Sequence, residues 1–349
     1  MTVRNKIPKH FYKSNMRINR IKIILLFSVF STSLVGQSDT TTIITKPLKT
    51  ERYFRFNYDN DFFSATDRYY TQGIYLQLIM PFIKKSPLSK LLIPINKNAL
   101  NYYGINFEQD GFTPRSIRHD SIYFGERPYA SVFFVSHFLI SINTEKKQRL
   151  STSLDLGIIG PEALGEEEQK GIHHALQNIQ PLGWEYQIAS DYVLNYNVKF
   201  EKGLLVKKRI ECIGFVGTRL GTLYDDVSIG TIVRSGWMQS YFKNLGMSLS
   251  YKNQNDSGEK TNKFQCYIFG KAELKTVAYN ATLQGGMFNK NSIYTLPSQD
   301  IKRVVGIGYI GVVLAYKRVS LEYTNAYISP EFDGGLPHGW GHCCITVCF

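Results

Sequence analysis

The amino-acid sequence predicts an all-β protein, a transmembrane antiparallel β-barrel of about 12 strands with one short helix packed at its rim. Aromatic residues make up 14% of the 349 residues, with 23 Tyr and 22 Phe, and aromatic side chains favour strands. Stretches of alternating apolar and polar residues follow one another, each about the ten residues that a tilted strand needs to cross a bilayer. The last stretch ends on Phe349 at the carboxyl terminus, which is typical of Gram-negative outer-membrane barrels.

The N-terminus has the pattern of an export signal. Basic residues precede an apolar run at 23–30, and small residues follow it. Such a pattern marks a secretory signal, and the run is too short for the ~20 apolar residues that span ~30 Å of hydrocarbon. A buried N-terminal helix is the alternative. We therefore predict a signal peptide at 1–36, a polar linker at 37–50 and a barrel domain at 51–349.

The predicted signal also carries much of the positive charge. The formal net charge is +13, and residues 1–36 contain seven basic residues and no acidic one. Residues 1–15 add only basic charge, so Met16 is an alternative start. The rest of the chain has no basic patch interleaved with aromatic residues, which argues against nucleic acid as a partner. A mild positive charge suits an anionic surface such as a phosphorylated glycolipid.

Thirteen stretches have the alternation of a strand. Bacterial single-chain barrels have an even number of strands, so we predict twelve and expect 278–288, together with 241–251, to be loop or strand extension. Polar connections such as Asn253–Gly258 are expected to be external loops. The thirteen stretches are 53–58, 74–79, 102–107, 132–142, 150–156, 184–200, 209–220, 228–238, 263–276, 278–288, 302–315, 317–328 and 340–349.

One helix is predicted after the N-terminus, at about 162–178. Pro161 suits the first helical turn, where its missing N–H costs nothing, and Glu166–Glu168 fall near the positive N-terminal end. Gly165 and Gly171 each weaken a helix by ~1 kcal/mol relative to Ala. A short helix of this kind is marginal alone, so we expect the barrel rim to support it.

Two polar side chains share one face of this helix. Gln169 and His173 are four residues apart and project from the same side, and Leu176 is expected to continue that stripe. A histidine held beside a glutamine on a packed helix can act as a general base toward water. The alternative is a half-buried, hydrogen-bonded histidine without a catalytic role. His174 is expected to point into solvent.

A second polar cluster occupies 60–73, between two predicted strands. The amide of Asn60 and the carboxylate of Asp61 are hard oxygen ligands suited to Ca²⁺, and a bound Ca²⁺ could polarise an ester carbonyl. The alternative is an Asx turn that closes a hairpin. Thr71 re-enters the next strand, where it could face the cluster.

A third polar run, 126–130, begins the fourth strand. Its Arg127 could bind a phosphate or carboxylate in bidentate fashion, and the alternative is an ion pair in the barrel wall with Glu126 or a neighbouring strand. The sequence contains no GxSxG motif and no glycine-rich phosphate loop, so nucleophilic serine catalysis has no support.

Together these runs resemble the outer-membrane lipid A 3′-O-deacylase family, LpxR. The resemblance rests on Asn60-Asp61 with 66–73, on 126–130 and on 157–184, and it covers essentially the whole predicted mature chain. It implies a twelve-stranded barrel in the bacterial outer membrane, with an active site between the outer wall and a helix. The implied reaction is Ca²⁺-dependent hydrolysis of the 3′ acyloxyacyl ester of lipid A in the outer leaflet.

The resemblance also implies roles for particular residues. His173 matches the base that activates water, and Gln169 and Thr71 match other catalytic positions. Asn60 and Asp61 match positions at the site that we assign to the metal. Two departures concern substrate recognition and the helix end: Arg118 or His119 would have to replace a basic residue in the loop after the third strand, and Ile179 stands where the family has an acidic residue. The alternative functions are a non-enzymatic pore or adhesin, and an esterase of the phospholipase A type.

Overall fold

The computed structural model describes residues 52–64, 68–96, 99–243, 245 and 264–349. Within them twelve strands close into an antiparallel barrel, in which each strand pairs with its neighbours in the chain and β1 pairs with β12. This confirms the predicted fold class. The predicted signal peptide and linker lie outside the described residues. The strands are β1 Tyr53–Asn60, β2 Tyr69–Ile79, β3 Leu100–Thr113, β4 Ala130–Asn143, β5 Gln148–Ile159, β6 Asp191–Val206, β7 Ile210–Gly221, β8 Tyr224–Trp237, β9 Phe264–Asn280, β10 Val304–Tyr316, β11 Val319–Ile328 and β12 His338–Cys348.

Two α-helices accompany the strands in the part of the chain that the structure describes. Helix α1, Gly165–Ala175, follows a 3₁₀ turn at Pro161–Ala163 and lies inside the predicted range of 162–178. Helix α2, Ala281–Gln284, directly follows β9. Among the described residues no helix is long and apolar enough to cross a bilayer.

The two ends of the barrel differ. We call the end where β1 begins and β12 ends the terminal end, and the opposite end, which carries α1, the helix end. The expected external loop Asn253–Gly258 lies outside the described residues. Its flanking strands, β8 and β9, are joined at the terminal end, because β8 runs toward that end and β9 away from it. The described ends of β8 and β9 that this connection joins are therefore at the end opposite the helix.

Two of the thirteen predicted stretches differ from the structure. Within 278–288, β9 stops at Asn280, whose side chain accepts a hydrogen bond from the backbone N–H of Thr282 and caps α2. The region is thus the expected strand extension and loop, with the unexpected helix α2 between them. The stretch 184–200 begins as a strand only at Asp191, since a 3₁₀ turn occupies Trp184–Tyr186. Of 241–251, the described residues 241–243 and 245 form turn and bend.

Side chains alternate between the lumen and the outer face along the strands. Charged residues such as Arg55, Glu108, Asp155 and Lys271 line a central cavity of about 500 Å³. The residues between them face outward, and large apolar side chains are exposed there on every side of the barrel. This is the pattern of a barrel whose outer band contacts lipid. Examples of these outward residues are Phe54, Phe56, Leu76, Phe107, Leu194, Ile229, Leu274 and Ile310.

Apolar clusters fill the lumen toward both ends of the described barrel. At the helix end Tyr70, Phe112, Phe134 and Leu223 pack together with the neighbouring Trp340. At the terminal end a second cluster includes Tyr53, Ile79 and Tyr102, and residues Phe242 and Leu245 of the β8–β9 connection insert into it. The charged cavity therefore lies between two apolar layers.

Candidate active site

Helix α1 lies against the outside of the barrel wall at the helix end. The helix packs on β3 and β4, and the turn before it contacts two outward side chains of these strands. Gln109 Nε2 donates to the carbonyl oxygen of Ala163 at 3.3 Å, and Ser131 Oγ donates to the same oxygen at 3.2 Å. Both residues alternate with lumen-lining neighbours, Glu108 on β3 and Phe134 on β4. The helix is therefore an external element.

The face of α1 that meets the wall consists of Gly165, Gln169 and His173, each four residues after the last. A Cβ at Gly165 would lie 2.6 Å from the Cβ of Ser131, so only glycine permits this close approach. The predicted common face of Gln169 and His173 is confirmed. Leu176 does not continue it, because the helix ends at Ala175 and the Leu176 side chain is 70% exposed.

The chain after α1 turns back and holds the imidazole of His173. Gln177 has a left-handed φ of +54°. The N–H of Asn178 donates to the carbonyl oxygen of His173 at 2.8 Å, and the N–H of Gln177 donates to that of His174 at 3.2 Å. This pair of bonds is a Schellman motif, and it carries Ile179 back over the helix.

The Schellman turn defines the tautomer of His173. Nδ1 of His173 lies 2.5 Å from the carbonyl oxygen of Ile179. A carbonyl can only accept, so Nδ1 is the donor, and in the neutral imidazole the lone pair is on Nε2. Ile179 stands where the family resemblance implies an acidic residue, and its backbone carbonyl holds the ring in this chain. The neighbouring His174 is exposed, as expected.

Gln169 is held by a tryptophan that the sequence did not single out for this role. Trp184 Nε1 donates to Gln169 Oε1 at 2.8 Å. The indole is 1% exposed and packs on Tyr129, with ring centroids 4.8 Å apart. Tyr129 in turn donates to the carbonyl oxygen of Leu182 at 2.7 Å. The Gly183-Trp184 pair within the family resemblance was the signal available for this contact.

The first polar cluster lies at the helix end of β1. Asn60 is opposite Gln72 of β2 in the strand register. Its Oδ1 accepts from the N–H of Phe62 at 2.9 Å, and its Nδ2 donates to Tyr58 Oη at 3.1 Å. The first of these contacts is the Asx turn that the sequence left open as an alternative. Asp61 follows directly and is 4% exposed.

Thr71 occupies a β-bulge. The register of β2 against β3 shifts between Tyr70 and Gln72, and bulges re-aim the side chain of the extra residue. Thr71 Oγ1 lies 2.7 Å from Thr113 Oγ1, and both residues are buried. Thr113 follows Gln109 at even spacing along β3, so this pair lies toward the outer face.

Glu168 of α1 connects the helix to the first cluster. Its carboxylate lies beside the amides of Gln72 and Gln109 and interacts electrostatically with Tyr58. Burial raises the pKa of Glu168, and the two amides oppose that rise. Since Gln72 pairs with Asn60, the structure brings the helix and the first cluster to one patch of the outer wall.

This patch retains unsatisfied polar atoms. Within the described part of the chain, Glu168 Oε1 and Gln72 Nε2 are buried and make no hydrogen bond of good geometry, although the Gln72 amide lies beside the carboxylate. Buried polar groups in folded proteins are nearly always paired with protein or water. The patch between α1 and the wall therefore suits a polar ligand group or water.

Arg127 is not part of this patch. Its Nη1 lies 2.6 Å from Glu331 Oε2, and its Nη2 donates to Thr282 Oγ1 at 2.7 Å. The guanidinium also stacks over the ring of Phe112, which faces the lumen. The expected substrate contact is corrected to an internal ion pair, with Glu331 as the partner in place of Glu126. The Arg127 guanidinium lowers the pKa of Glu331 against the opposing effect of burial.

Arg118 is exposed in the loop between β3 and β4. The preceding residue, Ile117, accepts from the N–H of Leu182 at 2.9 Å. This contact places the loop beside the segment that follows α1. Arg118 is thus at the helix end and accessible to a ligand approaching the helix.

Asn60 and Asp61, at the end of β1, provide some but not all of the ligands that a calcium ion needs. Asp61 and Asn60 offer the oxygen atoms that Ca²⁺ prefers, but the ion takes 6–8 oxygen ligands. Among the described residues, no group of three or more His, Cys, Asp or Glu is arranged to hold a metal. The remaining ligands would have to come from backbone, water or substrate.

Comparison with known proteins identifies the family. The family model described as outer membrane protein LpxR matches residues 23–349. The chain belongs to the LpxR family. It is accordingly an outer-membrane protein, and its twelve-stranded closed barrel is the fold of an LpxR protein.

One solved structure of an LpxR protein is similar over the whole barrel. LpxR from Salmonella typhimurium matches with a TM-score of 0.69 and 20% identity, over 85% of this chain and 100% of that one. At this identity the likeness shows the fold alone. The β domain of the Bordetella autotransporter BrkA reaches a TM-score of only 0.40 at 8% identity, over 85% of this chain and 97% of that one. No curated protein matches the chain.

Proposed function

We propose that the protein is an outer-membrane esterase that hydrolyses the 3′-acyloxyacyl ester of lipid A. The observation that carries the proposal is the buried His173 imidazole, which presents Nε2 as a base while the Ile179 carbonyl accepts from Nδ1. It lies on a helix that covers the outer wall beside the first polar cluster. Membership of the LpxR family supports lipid A in the outer leaflet as the substrate.

In the proposed reaction His173 is the general base. Nε2 takes a proton from a water molecule as the water oxygen attacks the ester carbonyl carbon. The tetrahedral intermediate then releases the sugar 3′ oxygen, which takes the proton back from His173. The products are the free acyloxyacyl acid and a 3′ hydroxyl. The Ile179 carbonyl stabilises the imidazolium by accepting from Nδ1–H.

The other site residues position the reactants. Gln169, held by Trp184, and Thr71 in its bulge supply polar groups for the water and the ester. Asp61 and Asn60 would hold Ca²⁺, which supplies positive charge at the ester carbonyl when bound. Arg118 is the accessible cation for a phosphate of lipid A.

The structure bears on the two alternative functions. A pore needs an open lumen, whereas apolar clusters fill the described lumen toward both ends, which disfavours conduction. An esterase acting on glycerophospholipids would use the same residues and differ only in substrate. The decisive experiment therefore has to compare the two lipids.

The experiment is mass spectrometry of lipid A and phospholipids from a Gram-negative host that produces the full chain. Wild type should remove the 3′-linked acyl mass, and His173→Ala should slow this about 10²–10⁴-fold, the range for loss of a general base. His174→Ala is the matched control, since that neighbour is exposed, and should retain activity. Chelation by EDTA of the wild-type protein in detergent should abolish the reaction.

Two results would contradict the proposal. One is unchanged lipid A with wild-type protein shown to be folded by its heat-dependent gel migration. The other is full activity in His173→Ala. Accumulation of lysophospholipid with unchanged lipid A would support the phospholipase alternative instead.

A further inference from the structure

A second irregular segment covers the outer wall, at the terminal end. Residues 80–96, between β2 and β3, form two consecutive 3₁₀ turns, Pro81–Lys85 and Pro87–Leu91, and we call this segment the strap. Its backbone groups form hydrogen bonds within the segment. For example, the N–H of Ser89 donates to the carbonyl oxygen of Ser86 at 3.1 Å. Unpaired backbone is costly near lipid, so these turns suit a segment at a membrane surface.

Three outward side chains of the wall hold the strap. His137 Nε2 lies 2.8 Å from Ser89 Oγ, and Ser141 Oγ accepts from the N–H of Ile95 at 3.0 Å. On β6, Tyr196 donates to the carbonyl oxygen of Leu91 at 2.7 Å. The strap thus crosses from β4 to β6 on the lipid side of the barrel and is fixed at three points.

A groove of about 470 Å³ lies between the strap and the wall. Its wall side consists of outward residues of β3, β4 and β5: Ile105, Val135, Leu154 and Leu156. The one polar wall residue in the groove, His137, is already bonded to Ser89. The groove is therefore apolar apart from Lys85, Ser86 and the bonded His137, and its wall residues belong to the interior of the three strands.

The edge of the groove is basic. Lys85 lines it, and Lys84 and Lys90 are exposed on the same strap, which contains no acidic residue. Exposed apolar residues accompany the lysines: Phe82 is 59% exposed and Leu91 54%. Apolar and basic residues on one segment are typical of chain that lies in the interface of an anionic membrane.

We propose that the groove binds an acyl chain of an anionic glycerophospholipid, with the lipid phosphate at Lys85. Charge complementarity selects an anionic headgroup, and the apolar wall selects a hydrocarbon tail rather than water. The lipid comes from the leaflet at the terminal end, because the strap leaves β2 at that end and returns there, where Ile95 bonds Ser141 near the end of β4. This inference does not depend on the esterase activity.

Native mass spectrometry of the detergent-solubilised full chain tests the headgroup contact, with palmitoyl-oleoyl phosphatidylglycerol as the probe. Wild type should retain one lipid. Lys85→Gln should weaken retention about five-fold, the factor for one lysine near an anionic surface. Lys90→Gln, on the same strap but outside the groove, should match wild type. Equal retention in Lys85→Gln and Lys90→Gln would overturn the assignment of the phosphate to Lys85.

A second pair of variants tests the tail contact. Leu156→Trp fills the groove and should lower retention of the same probe about ten-fold or more. Leu274→Trp places the same side chain on the outer face of β9, where the leucine is 52% exposed, and should bind like wild type. Both variants keep an apolar outer face, and heat-dependent gel migration verifies folding. Undiminished retention in folded Leu156→Trp would refute the groove as the site.

Discussion

The two coverings of the outer wall, α1 at the helix end and the strap at the terminal end, differ in how completely the polar side chains beneath them are hydrogen-bonded. Under the strap, His137, Ser141 and Tyr196 each have a hydrogen-bond partner in the covering segment. Under α1, Gln72 Nε2 and Glu168 Oε1 are buried and lack one among the described residues. The two regions lie on the same barrel wall and differ in whether their buried polar atoms are all hydrogen-bonded.

This difference is the one expected between a covering that is only structural and one that forms the proposed active site. A buried polar group left unpaired costs ~1–3 kcal/mol, so a chain that keeps such groups gives up stability at that place. Under the strap, the polar wall residues form hydrogen bonds that hold the segment in place. Under α1, Gln109 and Ser131 also bond the turn before the helix, but Gln72 Nε2 and Glu168 Oε1 remain available to water, a cation or the ester, which is what the proposed catalytic patch requires.

Substitutions at the two glycines of α1 test how closely the helix must approach the wall. Of the stability changes predicted here, the one at Gly165 is expected to be the largest. Gly165→Ala brings a methyl group against Ser131 and Trp184 and should cost ~1–3 kcal/mol through overpacking, with loss of esterase activity. Gly171 has nothing within 4 Å of its would-be Cβ, so Gly171→Ala should stabilise by up to ~1 kcal/mol. Urea unfolding in detergent, with a parallel lipid A assay, measures both.

Either of two results would contradict this reading of the helix. Gly165→Ala with wild-type stability and activity would mean that α1 can lie farther from the barrel wall without loss. A destabilised Gly171→Ala would mean that the exposed face of α1 has a contact of its own.

The strap gives the next largest effect. Ser89→Ala leaves the buried His137 without its partner and should destabilise the barrel by ~1–2 kcal/mol. The double variant Ser89→Ala/His137→Leu removes both polar groups and should recover most of that loss. Urea unfolding measures the two, and lipid A hydrolysis per folded molecule should stay at the wild-type level. A double variant less stable than Ser89→Ala would show that the strap is held by packing and not by this contact.

The sequence predicted the barrel because the alternation of lumen and lipid residues is local information. Twelve strands, the helix and the common face of Gln169 and His173 all follow from spacing along the chain. The predicted strand at 184–190 is wrong because Trp184 instead packs on Tyr129 and bonds Gln169. Aromatic content favours a strand only where no such distant partner exists.

The rest of the site depends on pairing that no single segment contains. The bulge at Thr71 arises from the register between β2 and β3. Arg127 pairs with Glu331, 204 residues away, while the sequence could suggest only a neighbour or an adjacent strand. Ile179 contributes its backbone carbonyl, which every residue possesses, so side-chain identity could not reveal its contact with His173.

The smallest expected effect comes from Glu168, the charged group under α1. Burial raises its pKa above the ordinary 4.5, so the folded protein binds this proton more tightly than the unfolded chain does. Its contribution to stability is therefore fully present below pH 4.5 and is lost as the pH rises through the raised value. Glu168→Gln cannot titrate, and relative to wild type it should gain stability across that window. Urea unfolding in EDTA from pH 4 to 8 measures the difference, and a pH-independent gap would show that the carboxylate is solvated and not part of the unsatisfied patch.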